Sequence, residues 1–192
     1  MAILHRGAQL TPSKPELLGA WLTTQAWAPA GEVRPIGAYR LDDRDGEVGI
    51  EGHLLDVGGT TLHVPVTYRN APLAGAEAAL LGTMEHSALG RRWVYDAAAD
   101  PVAWRELATA ALAGGTGAEL ILVDTERREV GRLEPVVRVQ GSGSADPATV
   151  VPDDYDVEIV RVLGGVLADS PAATLAGRWD GGEAVLAAVR RR

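Results

Sequence analysis

The sequence of 192 residues lacks cysteine and phenylalanine, and it contains a single lysine, Lys14, against 17 arginines. Without cysteine there is no disulfide bond, no thiolate metal site and no cysteine nucleophile. Long apolar runs are missing as well, since no stretch approaches the ~20 residues that span a bilayer. The apolar start of the chain is interrupted at His5, too early for a signal peptide. We therefore expect a cytoplasmic protein.

The sequence also has few positive charges, since 26 acidic residues outnumber 18 basic ones and the net charge is −8. This balance argues against a nucleic acid or an anionic membrane as the partner. The hydrophobic share of 46% and the charged share of 23% are ordinary globular values. The length suits one domain, which we predict to extend over residues 1–192.

Two segments carry helix signals. The first helix has two alternative starts, with Thr11 or Ser13 as the N-cap, followed by one apolar stripe over residues 17–22. The second starts at Asp100, which precedes a proline, and continues with apolar residues at helical spacing over 104–112. Both are short, so packing must stabilise them.

The remaining pattern indicates antiparallel strands joined by turns. The candidate segments are 33–41, 48–54, 62–68, 118–124, 130–140, 155–163, 174–179 and 184–189. Because the strands cluster instead of alternating with helices, we predict an α+β fold with a curved antiparallel sheet packed by two main helices. We interpret 141–153 as a flexible linker and 154–192 as C-terminal hairpin strands that complete the sheet.

Nucleotide and phosphate motifs are not found. The glycine-rich stretch at 114–117 is not followed by the Gly-Lys-Ser/Thr of a phosphate-binding loop. A kinase-like site needs a strand lysine and a set of metal-binding acidic residues, whereas Lys14 lies at the start of the first helix. We therefore predict no cofactor and no catalytic residue, and we favour a protein that is not an enzyme.

Two histidines on one predicted hairpin raise the question of a metal. If residues 48–54 and 62–68 pair with their apolar side chains on one face, His53 and His63 lie together on the other face, beside Glu51. Two imidazoles and a carboxylate can bind a metal. However, one face of an antiparallel sheet is commonly solvated, and polar pairs there need no ligand. We predict no metal site and keep these three residues as the weak candidates.

A second polar segment offers a ligand surface. Adjacent side chains diverge, so the line from Glu85 to Ser87 cannot form a local catalytic triad. On a concave sheet face, a small molecule would be surrounded by the side chains of His86, Trp93, Tyr95 and Tyr68. The ligand-binding candidates are Glu85, His86, Arg91, Arg92, Trp93 and Tyr95.

Several blocks of sequence, taken together, resemble one known family. They are LTPSKPELLGAWL from Leu10, IGAYRLDD from Ile36, GEVGIE from Gly46, VPVTYRNAPL from Val64 and, most distinctively, LGTMEHSALGRRWVYD from Leu81. The chain resembles the maltokinase N-terminal cap domain family, most strongly over residues 1–125. It looks like a stand-alone bacterial relative that lacks the kinase core.

In maltokinases the cap precedes a kinase core that uses ATP to phosphorylate maltose for α-glucan synthesis. The resemblance implies a non-catalytic binding or regulatory protein linked to maltose, trehalose or α-glucan metabolism. Its partner would be a kinase or another protein of glucan metabolism, or a second copy of the chain. The alternative is a protein that binds a sugar or sugar phosphate, or an unrecognised enzyme, on the concave sheet face.

Overall fold

The computed structural model describes residues 1–167 and 169–192, which form an α+β fold of two α-helices and thirteen strands. The predicted fold class is confirmed, including the curved antiparallel sheet and the C-terminal hairpin strands. Neither helix in this described part is long and apolar enough to cross a membrane. The helices are α1 (Lys14–Leu22) and α2 (Pro101–Leu112). The strands are β1 (Ala2–His5), β2 (Leu10–Thr11), β3 (Val33–Leu41), β4 (Gly49–Val57), β5 (Thr60–Arg69), β6 (Leu80–His86), β7 (Gly90–Asp96), β8 (Leu120–Val123), β9 (Glu129–Leu133), β10 (Arg138–Gly141), β11 (Tyr155–Ile159), β12 (Ala173–Trp179) and β13 (Gly182–Arg191).

The largest sheet has six antiparallel strands in the order β2-β6-β7-β5-β4-β3. The turn between β4 and β5 has only two residues, Gly58 and Gly59, and both have positive φ, a conformation that glycine adopts without steric cost. The predicted register of this hairpin is therefore wrong. Leu54 pairs with His63, and His53 pairs with Val64.

Both faces of the six-stranded sheet are covered, which explains the error in register. We call one side the α1 face; it carries Glu51, His53 and Leu55 of β4 and Leu62, Val64 and Val66 of β5. The opposite side is the α2 face, which carries Ile50 and Leu54 of β4 with His63 and Thr67 of β5. A one-residue shift exchanges the two sets of side chains, and here each set is buried.

Helix α1 begins with a capping box. The Ser13 hydroxyl accepts from the N–H of Glu16, and the Glu16 carboxylate accepts from the N–H of Ser13. Of the two alternative starts, the Ser13 start is therefore the one that forms. Leu17, Leu18 and Leu22 bury against the α1 face, each less than a tenth exposed.

Helix α2 packs on the α2 face. Asp100 caps it by accepting the N–H of Val102, and Leu107, Ala108 and Ala111 are fully buried. Helix α2 also contacts a second antiparallel sheet, ordered β10-β12-β13-β11. The helix, the α2 face and this second sheet share one hydrophobic core.

The C-terminal strands β11, β12 and β13 pair with one another and with β10 in a sheet of their own, and they share a core with α2. The segment 161–163, which follows β11, pairs with β5, where the N–H of His63 donates to the Arg161 carbonyl and the N–H of Leu163 donates to the Thr61 carbonyl. The extension of the six-stranded sheet predicted for 154–192 is therefore limited to this short segment. The predicted strand 130–140 is also divided, since β9 ends at Leu133 and β10 starts at Arg138. Pro135 lies in the gap, and proline has no N–H to continue a ladder. The segment predicted as a linker, 141–153, is hydrogen bonded to the last turn of α2 through Gly143 and Ala145.

The third sheet has the order β1-β8-β9, and its β1–β8 pair is parallel. Parallel pairing joins Ala2 to Leu120, two residues so distant along the chain that no local pattern indicates their contact. This small sheet lies beside the α1 face, where β1 provides one wall of a cavity.

Candidate functional site

A cavity of about 730 Å³ opens between the α1 face of the six-stranded sheet and strand β1. The floor of the cavity is formed by polar side chains from several strands and from the start of α1. They are Lys14, Arg40, Tyr68, His86 and Arg92. Strand β1 contributes His5 to the wall, and the loop between β3 and β4 contributes Asp42, Asp43 and Glu47 to the rim.

Behind the floor, the buried carboxylate of Glu51 joins two cations. Its Oε2 atom lies 2.5 Å from Lys14 Nζ and 3.4 Å from Arg40 Nη2. The ring of His53 lies 3.6 Å from the same oxygen and 3.1 Å from the Tyr68 hydroxyl. The ring of Tyr68 in turn lies 5.4 Å from Lys14 Nζ, at cation–π distance. These contacts fix the positions of the floor side chains.

Burial and charge act in opposite directions on this cluster. Burial alone would raise the pKa of Glu51, but His53, Arg40 and Lys14 together lower it to about 2. Burial lowers the pKa of His53 to about 4, so at neutral pH this ring is uncharged and Arg40 and Lys14 are the partners that matter. Burial also lowers the pKa of Lys14, although Glu51 opposes that effect. At neutral pH Glu51 is therefore ionised between two positive charges.

Arg92 has a different environment from the two cations that contact Glu51. Its Nη2 atom donates to the carbonyl of Leu89 at 2.7 Å. Within residues 1–167 and 169–192, no carboxylate lies at salt-bridge distance from it. Its other N–H donors are therefore available to the cavity, because a guanidinium has five.

His86 has an assigned tautomer. The N–H of Ala88 donates to His86 Nδ1 at 3.1 Å, so the neutral ring carries its proton on Nε2. Burial, followed by the charges of His5, Arg92 and Lys14, lowers the pKa of His86. The ring of His5 meets it edge-to-face, with 5.6 Å between the centroids. At neutral pH His86 is therefore an uncharged hydrogen-bond donor in the cavity.

The structure separates the six predicted ligand residues into two groups. His86 and Arg92 line the cavity, because β6 and β7 turn these side chains to the α1 face. Glu85 and Arg91 lie on the opposite face, where they form an exposed ion pair of 2.6 Å, and Trp93 shares that face. Tyr95 is buried, and its hydroxyl accepts the N–H of Leu73. Alternation along β7 thus places Arg91 and Arg92 on opposite faces of the sheet.

The weak metal candidates do not come together either. His63 lies on the α2 face, where its Nε2 atom is 3.0 Å from the Tyr39 hydroxyl and its Nδ1 atom 3.3 Å from the Val160 carbonyl. His53 and Glu51 lie on the α1 face. Across the described residues, no three histidine, aspartate or glutamate side chains are grouped as metal ligands.

Among the basic side chains of the cavity, those of His5, Lys14 and Arg40 were not predicted as site residues. His5 and Lys14 reach the cavity through long-range packing. One signal was available for Lys14: it is the only lysine in a chain that otherwise uses arginine.

The chain is therefore an α+β domain with a curved antiparallel sheet and a polar cavity on one face of that sheet. Residues 21–100 match the family model of the maltokinase N-terminal cap domain. The resemblance to this family is thus confirmed, and the matched segment contains β3 to β7 with Arg40, Glu51, Tyr68, His86 and Arg92. No curated protein shows a significant match to the chain.

Proposed function

We propose that this chain is a non-catalytic binding protein of cytoplasmic sugar or α-glucan metabolism, and that the cavity on the α1 face holds a small polyhydroxylated ligand. The observation that carries the proposal is the floor of the cavity, where Lys14, His86 and Arg92 present hydrogen-bond donors in fixed positions. A volume of about 730 Å³ is in the usual range for small-molecule sites.

The composition of the floor suits a sugar. The hydroxyl groups of a sugar need hydrogen-bond partners, while its C–H faces pack on apolar surface. Tyr68, which is partly exposed, supplies such surface beside the polar groups. The link to maltose, trehalose or α-glucan metabolism is supported by the match to the maltokinase cap domain.

The arrangement of the buried groups favours binding over catalysis. Glu51 has its charge balanced by Lys14 and Arg40 and lies behind the surface of the cavity. A general acid or base works best with a pKa near the operating pH, whereas the pKa of Glu51 is about 2 and that of His53 about 4. Both side chains support the floor.

A protein partner is the second candidate function, and the small three-stranded sheet favours it. Ile3, Val130 and Leu133 are each almost half exposed there, and β1 and β9 are edge strands. Free strand edges can pair with another chain. The kinases of α-glucan metabolism, or a second copy of the chain, are the proposed partners. Sedimentation at increasing concentration, alone and with such a kinase, tests this proposal; a monomer that is unchanged by the kinase contradicts it.

Calorimetric titration with glucose, maltose, trehalose and glucose 1-phosphate tests the binding proposal. We expect at least one of these sugars to bind, and His86→Ala to weaken binding. Glu85→Ala is the matched control, because the neighbouring side chain lies on the opposite face of β6. Binding that is equal in both variants would contradict the assignment of the cavity. Sugar turnover by the purified protein, followed by NMR with ATP present, would contradict the non-catalytic role.

A further inference from the structure

We propose that the ligand of this cavity carries a phosphate monoester, held by Arg92, Lys14 and His86; the inference rests on the proposed function and names the class of its ligand. It would therefore be a sugar phosphate instead of a neutral sugar. Three features of the floor support this inference: the excess of positive charge, the free donors of Arg92 and the tautomer of His86.

The floor of the cavity is positive although the chain as a whole carries −8. The floor carries three cations, of which Lys14 and Arg40 contact the carboxylate of Glu51, while Arg92 has no carboxylate at salt-bridge distance among the described residues. Two positive charges remain without a counter-charge at the same surface. A phosphate monoester carries close to two negative charges at neutral pH, so it would balance them.

The available donors match the oxygens of a phosphate. Arg92 donates to one carbonyl and keeps further N–H groups, and a guanidinium can bind a phosphate through two parallel hydrogen bonds. Lys14 gives one hydrogen bond to Glu51 and has two donors left. His86 adds the N–H at Nε2. Each of these groups donates, so the floor is suited to an acceptor-rich anion.

Two of the three acidic residues of the rim have partners outside the floor, and Asp42 is one of them, since it pairs with the N-terminal ammonium group of Met1. Asp43 accepts the N–H groups of Glu47 and Val48 at 2.9 Å, and its side chain is almost fully buried. The negative charge of Asp43 is thus stabilised by backbone N–H groups of the loop between β3 and β4. Glu47 is exposed on that rim. The phosphate would therefore lie at the end of the cavity near Arg92, with the sugar ring toward the rim.

Calorimetry with glucose 1-phosphate, glucose and inorganic phosphate tests the inference. We expect glucose 1-phosphate to bind at least tenfold more tightly than glucose or inorganic phosphate, and we expect Arg92→Met to remove about tenfold of that affinity. Arg91→Met is the matched control, since it removes an equal charge from the opposite face of the same strand and should retain the affinity. Arg92→Lys keeps the charge and should lose less than Arg92→Met.

A second measurement uses the single lysine and needs no variant. Acetylation of Lys14 by an N-hydroxysuccinimide ester, followed by mass spectrometry of its peptide, should be slowed by glucose 1-phosphate and not by glucose. If glucose binds as tightly as glucose 1-phosphate, or if Arg92→Met keeps the phosphate preference, this inference is overturned and the proposed function stands. If none of the three probes binds, this inference is overturned, and the proposed function is overturned with it when maltose and trehalose also fail to bind.

Discussion

The ammonium group of Lys14 lies 2.5 Å from the Glu51 carboxylate, and this contact joins the first turn of α1 to the middle of β4. The contact spans 37 residues of chain. It has two effects. It neutralises a carboxylate that is buried under the cavity, and it holds the only lysine of the chain at the floor.

The first prediction concerns this carboxylate. Glu51→Gln leaves Lys14 and Arg40 in a largely buried position without their counter-charge, so we expect the free energy of unfolding to fall by about 3 kcal/mol. Urea denaturation at neutral pH measures the change. Glu85→Gln is the control, because it removes an exposed partner of Arg91 and should cost less than about 0.5 kcal/mol. Equal losses in the two variants would show that the cluster does not stabilise the fold.

The second prediction is a loss of stability in mild acid. In the unfolded chain a histidine takes up a proton below about pH 6.5, whereas folding holds the pKa of His53 at about 4 and that of His63 at about 3. Protonation of the unfolded state therefore favours unfolding, so this stability is complete above pH 6.5 and is lost as the pH falls. Glu51 adds a further loss between about pH 4.5 and 2.

Urea denaturation at pH 7.5 and pH 5.5 measures the histidine effect. We expect roughly 1.4 kcal/mol to be lost from each of the two histidines over this interval. Replacing one of them, in His63→Gln or in His53→Gln, should remove about 1.4 kcal/mol of this pH-dependent loss even if the variant is less stable overall. A pH dependence that both variants retain in full would mean that other groups cause it.

The third prediction concerns the start of α2. Asp100 is fully buried and accepts from Thr67 Oγ1 and from Arg69 Nε, each at 2.7 Å, as well as from the N–H of Val102. Asp100→Ala removes the cap and leaves Arg69 without its partner, so we expect a loss above about 3 kcal/mol. Asp146→Ala removes an exposed cap of a short 3₁₀ turn and should cost about 1 kcal/mol or less. Thermal denaturation compares the stability of the two variants. Similar melting temperatures for Asp100→Ala and Asp146→Ala would contradict this prediction.

The fourth prediction concerns two glycines of β4. A methyl group on Gly52 would clash with the ring of Tyr39, whose hydroxyl contacts His63. Gly52→Ala should therefore cost about 2 kcal/mol or more through overpacking. At Gly49 the same methyl group meets the Tyr68 side chain at 3.5 Å, an ordinary contact, so Gly49→Ala should be tolerated. Chemical denaturation of the two variants measures their free energies of unfolding. A Gly52→Ala protein as stable as the Gly49→Ala protein would contradict the packing described.

The local elements of the fold were predictable, because their signals are short-range. The cap at Asp100, the capping box at Ser13 and the strand Val33–Leu41 all lie where the sequence indicates. The hairpin register was not predictable from the assumption of one buried face. Apolar side chains on both faces of β4 and β5 are buried, so alternation alone could not decide which set faces which helix.

The cavity was predictable only in part, for a similar reason. Alternation along β7 separates Arg92 from Arg91, but it does not say which face carries a cavity. That depends on β1, which reaches its place through parallel pairing with β8. The contribution of Lys14 depends on the packing of α1 against the sheet. Contacts of such long range have no periodic signal in the sequence.

The parallel pairing of β1 has an evolutionary consequence. Strand β1 and Lys14 lie outside the segment that matches the maltokinase cap domain, while Arg40, His86 and Arg92 lie inside it. One wall of the cavity is thus supplied by a strand of four residues that can diverge without disturbing the six-stranded scaffold. Under the proposed function, a relative with the same six-stranded sheet and a different first strand would present a different cavity, so similarity over the matched segment alone does not define the ligand.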